Sequence, residues 1–139
     1  QAQQQTWSKG DFAVIASIVL HDADELVEAL EIFPGEKVLD VACGSGNAAI
    51  SAARRAWGNT TGLDFVPELL ERARERVAAE RLEIEFVEGD AQELPFGEAE
   101  FDVTISIFGA MFAPDQQRTA GDRGLVIEPE YLRVIATRA

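Results

Sequence analysis

A chain of 139 residues, 47% apolar and 27% charged, is long enough for one packed domain and too apolar to stay disordered. Its 25 acidic against 12 basic side chains leave a net charge of −13, a surface that repels nucleic-acid phosphates and anionic membranes. A small molecule is therefore the expected partner. The single cysteine excludes an internal disulfide. No Cys/His spacing suits a metal, and no apolar run reaches the ~18 residues of a membrane span. The first residues carry no secretory pattern, so a reducing, cytoplasmic setting is expected.

Residues 1–10 are polar and glutamine-rich and read as a flexible segment. Asp11 is placed to cap a helix over residues 11–20, and residues 22–32 read as a second helix. There Leu26, Val27 and Leu30 share a face, with Asp24, Glu25, Glu28 and Glu31 turned outward. Pro34 and Gly35 end it. Residues 37–42 form a short apolar strand, followed at once by Gly44, Ser45 and Gly46. An alanine-rich helix over 47–57 stops at Gly58, and a second strand covers 60–64. Pro67 suits the first turn of a helix over 68–80, in which Leu69, Leu70, Ala73 and Val77 share a face and Glu68 stands four residues before Arg72. The charged run over 68–81 reads as a solvated face. A third strand over 84–88 leads into the Gly89-Asp90 turn, and a fourth covers 101–107. Such alternation predicts an α/β domain with a mostly parallel sheet and helices on both faces.

Gly44-x-Gly46 between a strand and a helix lets a ligand approach the backbone beside unpaired N–H groups. Without further context it is equally a tight strand-to-helix turn. Gly44, Gly46 and Ala49 also fit the dinucleotide pattern, with Asp64 near the spacing of a ribose-binding acid, so an NAD(P)-binding domain is one reading. Asp40 opposes it. A carboxylate at the strand end is poorly placed for a pyrophosphate and well placed for an ammonium group.

The stretch 38–47, Val-Leu-Asp-Val-Ala-Cys-Gly-Ser-Gly-Asn, resembles the first motif of class I S-adenosylmethionine methyltransferases, closest to the ubiquinone and menaquinone branch. Thr61-Gly62-Leu63-Asp64-Phe65 resembles the second motif, residues 89–96 the third, and Phe101-Asp102-Val103 through Phe108-Gly109 the fourth. The resemblance implies a Rossmann-like sheet of order 3-2-1-4 and S-adenosylmethionine as cofactor, with S-adenosylhomocysteine as product. It implies binding through Asp40, Ala42, Gly44, Ser45, Gly46, Asp64, Phe65, Asp90, Ala91, Phe108 and Gly109. Asp40 would face the methionyl ammonium. Asp64 would accept the ribose hydroxyls, since a carboxylate offers two oxygens and no donor. Phe65 would pack on the adenine, and Asp90 and Ala91 would meet its polar edge. Asp64 is alternatively a helix cap, and Asp90 the cap of a short turn reaching Leu94. Phe108 and Gly109 would lie beside the sulfonium. Trp7 is either a lid or simple packing, Cys43 a small residue that fits the turn, and His21 a solvated helix-end residue. No residue is singled out as a catalytic base.

After Asp115 the resemblance breaks. Residues 116–124 pass directly to a tail, 125–138, that looks like the family's C-terminal strand. The expectation is one domain over 1–139, shortened relative to the seven-stranded family fold, with that strand antiparallel at the sheet edge. The acceptor-covering region is then mostly absent. Two functional outcomes follow: a methyltransferase-like domain acting on a small molecule, or a non-catalytic remnant that self-associates. The short linker favours exchange of the tail between two copies, so a homodimer is expected.

Overall fold

The computed structural model describes residues 20–107, 125–128 and 133–136. The predictions for Trp7, for the helix over 11–20, and for Phe108 and Gly109 lie outside these residues.

Helix α1 (Leu20–Ala29) buries Val27 and exposes Glu25 and Glu28, as its spacing predicts, and also buries Ala23, which the apolar spacing did not single out. It ends earlier than the Pro34-Gly35 signal suggests, because Glu31 takes a left-handed backbone (φ 49°). Asp24 is not turned outward: it is half-buried and accepts the Ser51 hydroxyl from the next helix. Strand β1 (Val38–Val41) is buried at every position. Helix α2 (Asn47–Ala56) packs its alanines on the sheet and closes on Trp57 in the left-handed region. Strand β2 (Thr60–Asp64) is also wholly buried. Helix α3 (Pro67–Glu80) has Pro67 in its first turn and buries Leu69, Leu70, Ala73 and Val77, the four expected residues. Strands β3 (Glu85–Glu88) and β4 (Val103–Ile107) follow.

The sheet order is β3-β2-β1-β4-β6-β5, and its first four strands are parallel. The tail supplies two strands rather than one, β5 (Leu125–Glu128) and β6 (Arg133–Ala136), paired antiparallel. Strand β6 pairs antiparallel with β4 of its own chain, Ile105 opposite Ile135.

Alternation along the strands sorts the core onto two faces. Val38, Val103 and Ile105 pack with Ala23, Val27, Ala48 and Ala52. Phe86 joins Ile50, Leu70, Ala73 and Val77 on the same side. Leu39, Val41 and Leu63 point the other way, against Ala91, Leu94, Phe96 and Phe101 of the β3–β4 connection. Among the described residues the three helices thus cover one face, and a coil segment covers the other. That segment contains Pro95 and Gly97 and has no helical period, so it packs by its aromatics, with Phe96 and Phe101 edge to face at 5.1 Å.

Candidate functional site at the strand ends

Ligands of open α/β sheets bind beyond the carboxyl ends of the strands, where the order reverses. Here the reversal lies between β1 and its neighbours β2 and β4, and the glycine loop leaves β1 there. Ala42 (φ 56°), Gly44 (φ 55°) and Gly46 (φ 91°) all take left-handed backbones, folding the loop back over the end of β1. A Cβ on Gly44 would meet nothing within 4 Å, so its surroundings are open and glycine is needed for conformation. A Cβ on Gly46 would lie 3.3 Å from Ala73 Cβ, so that glycine also lets the loop approach α3.

Three N–H groups of the loop have partners, two of them on β2. Cys43 N–H donates to Leu63 O at 2.9 Å, and Gly46 N–H to Cys43 O at 2.9 Å. Gly44 N–H donates to Asp64 Oδ2 at 2.8 Å. Ser106 O–H closes the β4 side on Val41 O at 2.8 Å.

Asp40 is 1% exposed, and its Oδ2 has no hydrogen-bond partner among the described residues. Burial pushes its carboxyl up to about 8, the Ala49 N–H opposes this, and the Asp64 carboxylate adds to it. Asp64 is buried too, and both its oxygens are occupied: Val66 N–H donates to Oδ1 at 2.9 Å, as Gly44 does to Oδ2. Burial raises its carboxyl above the ordinary value, while the N–H groups of Val66, Gly44 and Phe65 pull it back. Asp64 does not cap α3, whose N-cap is Val66 with no side-chain bond. Each oxygen still has a second lone pair for a hydroxyl.

Phe65 is half-buried at the end of β2. Asp90 is exposed, and its Oδ1 accepts Gln92 N–H at 2.8 Å while its carbonyl accepts Glu93 N–H at 3.1 Å. It therefore caps the turn, with the rest of its carboxylate open to a ligand. Ala91 is half-buried beside it. Cys43 is buried in the Phe86 cluster, and burial first, then the Asp40 and Asp64 carboxylates, push its thiol well up. It packs as a small apolar residue.

Asp40, Ala42, Gly44, Ser45, Gly46, Asp64 and Phe65 thus gather at the ends of β1 and β2, and Asp90 and Ala91 follow β3. Two residues escaped the sequence reading. Gly62 pairs with Asp40 in register, and a Cβ on it would lie 2.8 Å from the Phe86 ring and 3.0 Å from Cys43 Sγ. Arg76 is no part of a solvated face: it is half-buried and donates to the glycine loop. Its signal was legible, since position 76 falls three residues after Ala73 and seven after Leu69, on the apolar face of α3. On the exposed side Arg74 pairs with Glu71, at 3.4 Å. A wide groove of about 710 Å³ opens at the other end of the sheet, lined by Lys37, Thr60, Arg74 and Phe86 among others, and none of the strand-end aspartates reaches it. Among the described residues no group of three or more His, Cys, Asp or Glu could hold a metal, and no helix is long and apolar enough to cross a membrane.

A parallel 3-2-1-4 sheet with a glycine loop and buried acids at two strand ends defines a Rossmann-like domain. Residues 38–123 match the methyltransferase-domain family. An uncharacterized protein of Mycobacterium tuberculosis is 47% identical over 120 residues, 86% of this chain and 43% of that protein. The demethylmenaquinone methyltransferase of Deinococcus radiodurans is 40% identical over 103 residues, 73% of this chain and 42% of that protein. A SAM-dependent methyltransferase from Aquifex aeolicus shares the fold, with a TM-score of 0.67 at 18% identity over 81% of this chain and 64% of its own. The chain belongs to the class I S-adenosylmethionine-dependent methyltransferases. S-adenosylmethionine is the cofactor of that family, and the NAD(P) reading is set aside. The chain spans about two fifths of the length of the two relatives compared by sequence.

Proposed function

We propose that the domain binds S-adenosylmethionine over the ends of β1 and β2 and donates its methyl group to a small-molecule acceptor. The observation that carries this reading is Asp40 Oδ2, a buried carboxylate oxygen without a partner among the described residues, beside an open glycine loop. A buried acid of this kind calls for a cationic or donor group, and the methionyl ammonium supplies one. Asp64 takes the ribose hydroxyls on its remaining lone pairs. Ala42, Gly44, Ser45 and Gly46 form the wall against the methionine and ribose, Phe65 flanks the adenine, and Asp90 with Ala91 meets its polar edge. Phe108 and Gly109 belong to the same proposal by motif. When bound, the cofactor supplies an electrophilic methyl on a sulfonium sulfur, so the protein's task is alignment and exclusion of water.

Titration calorimetry with S-adenosylmethionine, and with NAD as the control, tests the binding. Saturable heat with NAD alone would refute it. A methyl-transfer assay tests activity, and a hydroquinone is a reasonable first acceptor given the name of the Deinococcus relative. Tail exchange and a homodimer extend the reading. Strand β5 ends the sheet, and an edge strand recruits partners, whereas pairing of β6 with its own β4 favours one chain by itself. A one-chain mass by light scattering at micromolar concentration would sink the dimer. A cytoplasmic setting fits the acidic surface and the lone buried thiol.

A further inference from the structure

The glycine loop has no cap of its own. Gly46 is the N-cap of α2, and no side chain within the helix bonds it. Three left-handed residues in five positions make a segment with several low-energy alternatives. Beyond the bonds of its own N–H groups, the loop's carbonyl side is held from another element. Arg76, on α3, donates from Nη1 to Ser45 O at 2.8 Å and to Asn47 Oδ1 at 2.7 Å, with a longer contact to Ser45 Oγ at 3.4 Å. These bonds lie on both sides of Gly46. The Arg76 guanidinium is partly desolvated, and burial lowers its basicity somewhat. Hydrogen bonds from a charged donor in such surroundings are among the stronger ones. The same helix starts where Val66 N–H is held by Asp64. One rigid rod therefore fixes both the acid at the end of β2 and the loop at the end of β1.

We propose that Arg76 is a positioning residue for the cofactor loop, holding the Ser45 peptide and the first residue of α2 in the binding conformation before the ligand arrives. This rests on the reading that the loop binds S-adenosylmethionine. Preorganisation of this kind raises affinity by removing an ordering cost from the binding step.

The test compares Arg76→Met, Arg76→Lys and Arg74→Met. Arg74 is the control, on the same helix but bonded to Glu71 and Phe86 O instead. Two readouts are taken: amide hydrogen exchange at residues 44–47 without ligand, and the Kd for S-adenosylmethionine. Arg76→Met should speed exchange at Gly44 and Gly46 and weaken binding about 10- to 100-fold, as loss of supporting residues does around metal ligands. Arg76→Lys, which keeps a charged donor, should lie between, and Arg74→Met should match the parent in both readouts. Should Arg76→Met not fold, Asn47→Ala removes one acceptor and should still speed exchange in the loop. Parental exchange and affinity in Arg76→Met, or equal losses in Arg74→Met, would overturn the proposal. Failure of the parent protein to bind S-adenosylmethionine would instead overturn the cofactor reading, while the exchange data would still decide whether Arg76 orders the loop.

Discussion

Asp40→Asn should make the ligand-free protein relatively more stable as pH rises while removing its affinity for S-adenosylmethionine. Asp40 is sealed at the end of β1 with one oxygen unpartnered, and burial moves its carboxyl from an ordinary value of 3.8 to about 8. Between those two values the folded state binds a proton that the unfolded chain releases. Stability from this group is therefore fully present below the lower value and is lost as pH rises toward the upper one. The limiting slope is about 1.4 kcal/mol per pH unit, so pH 5 to 8 removes at most about 4 kcal/mol, and relaxation around the charge brings this nearer 2–3. Asparagine keeps an oxygen for Ala49 N–H and removes the titration. It also buries an unpaired N–H₂, a cost independent of pH, so the slope and not the offset is the measure. Urea unfolding of both proteins at pH 5, 6, 7 and 8 reads it, and the groups they share, Asp64 and Cys43, largely cancel in the difference. Parallel stability curves would refute the reasoning. With ligand present the sign reverses, because an ammonium over Asp40 favours the carboxylate. Binding near pH 6 should then release about one proton, read by calorimetry in buffers of different ionisation heat.

Asp64→Ala should weaken S-adenosylmethionine binding by about 1–3 kcal/mol and lower Tm, since Gly44 and Val66 N–H also lose their acceptor. Unchanged affinity in a folded variant would remove Asp64 from the site. Gly62→Ala should cost about 1–3 kcal/mol through overpacking against the Phe86 ring, read as a lower urea midpoint, and Phe86→Leu should recover part of it. Trp57→Gly should stabilise by about 0.5–1 kcal/mol, the left-handed strain relieved less the added chain entropy. Trp57 is 79% exposed at φ 56°, so little packing is lost, and a drop in Tm would show that it packs on something.

Much of the fold was legible because its signals are local. The buried face of α3 followed from four apolar residues at helical spacing, and Pro67 marked its start. The parallel pairing followed from alternation, the order 3-2-1-4 from the family resemblance, and the glycine loop from its place between a strand and a helix. The misreadings have one cause, side chains whose partners are distant in sequence. Asp24 and Arg76 are polar residues on amphipathic helices, and the surface is the default for both. Both are drawn inward by partners on α2 or its loop, Asp24 by the Ser51 hydroxyl and Arg76 by Ser45 O and Asn47 Oδ1. Nothing local distinguishes Asp24 from Glu28, whereas position 76 falls on the apolar face of α3 with Leu69 and Ala73. The strand character of the tail was legible in its apolar residues, whereas its antiparallel pairing beside β4 depends on a register to Ile105, Ser106 and Ile107 that no local signal carries.

The two strand-end acids were both expected, and the structure makes them unlike. Asp64 has its charge met by N–H groups on both oxygens, so it is a finished part of the fold that still offers lone pairs. Asp40 has one N–H and an empty side, and the nearby Asp64 carboxylate worsens its position. A fold selected for stability alone would place an apolar residue there, between Gly62 and Ile105 in the sheet. The destabilisation is relieved only by a group that brings a donor or a positive charge to Oδ2. The specificity of the site for a cationic ligand and the acid-side stability of the ligand-free protein are therefore consequences of the same buried carboxyl. The pH slope and the proton released on binding must rise or fall together.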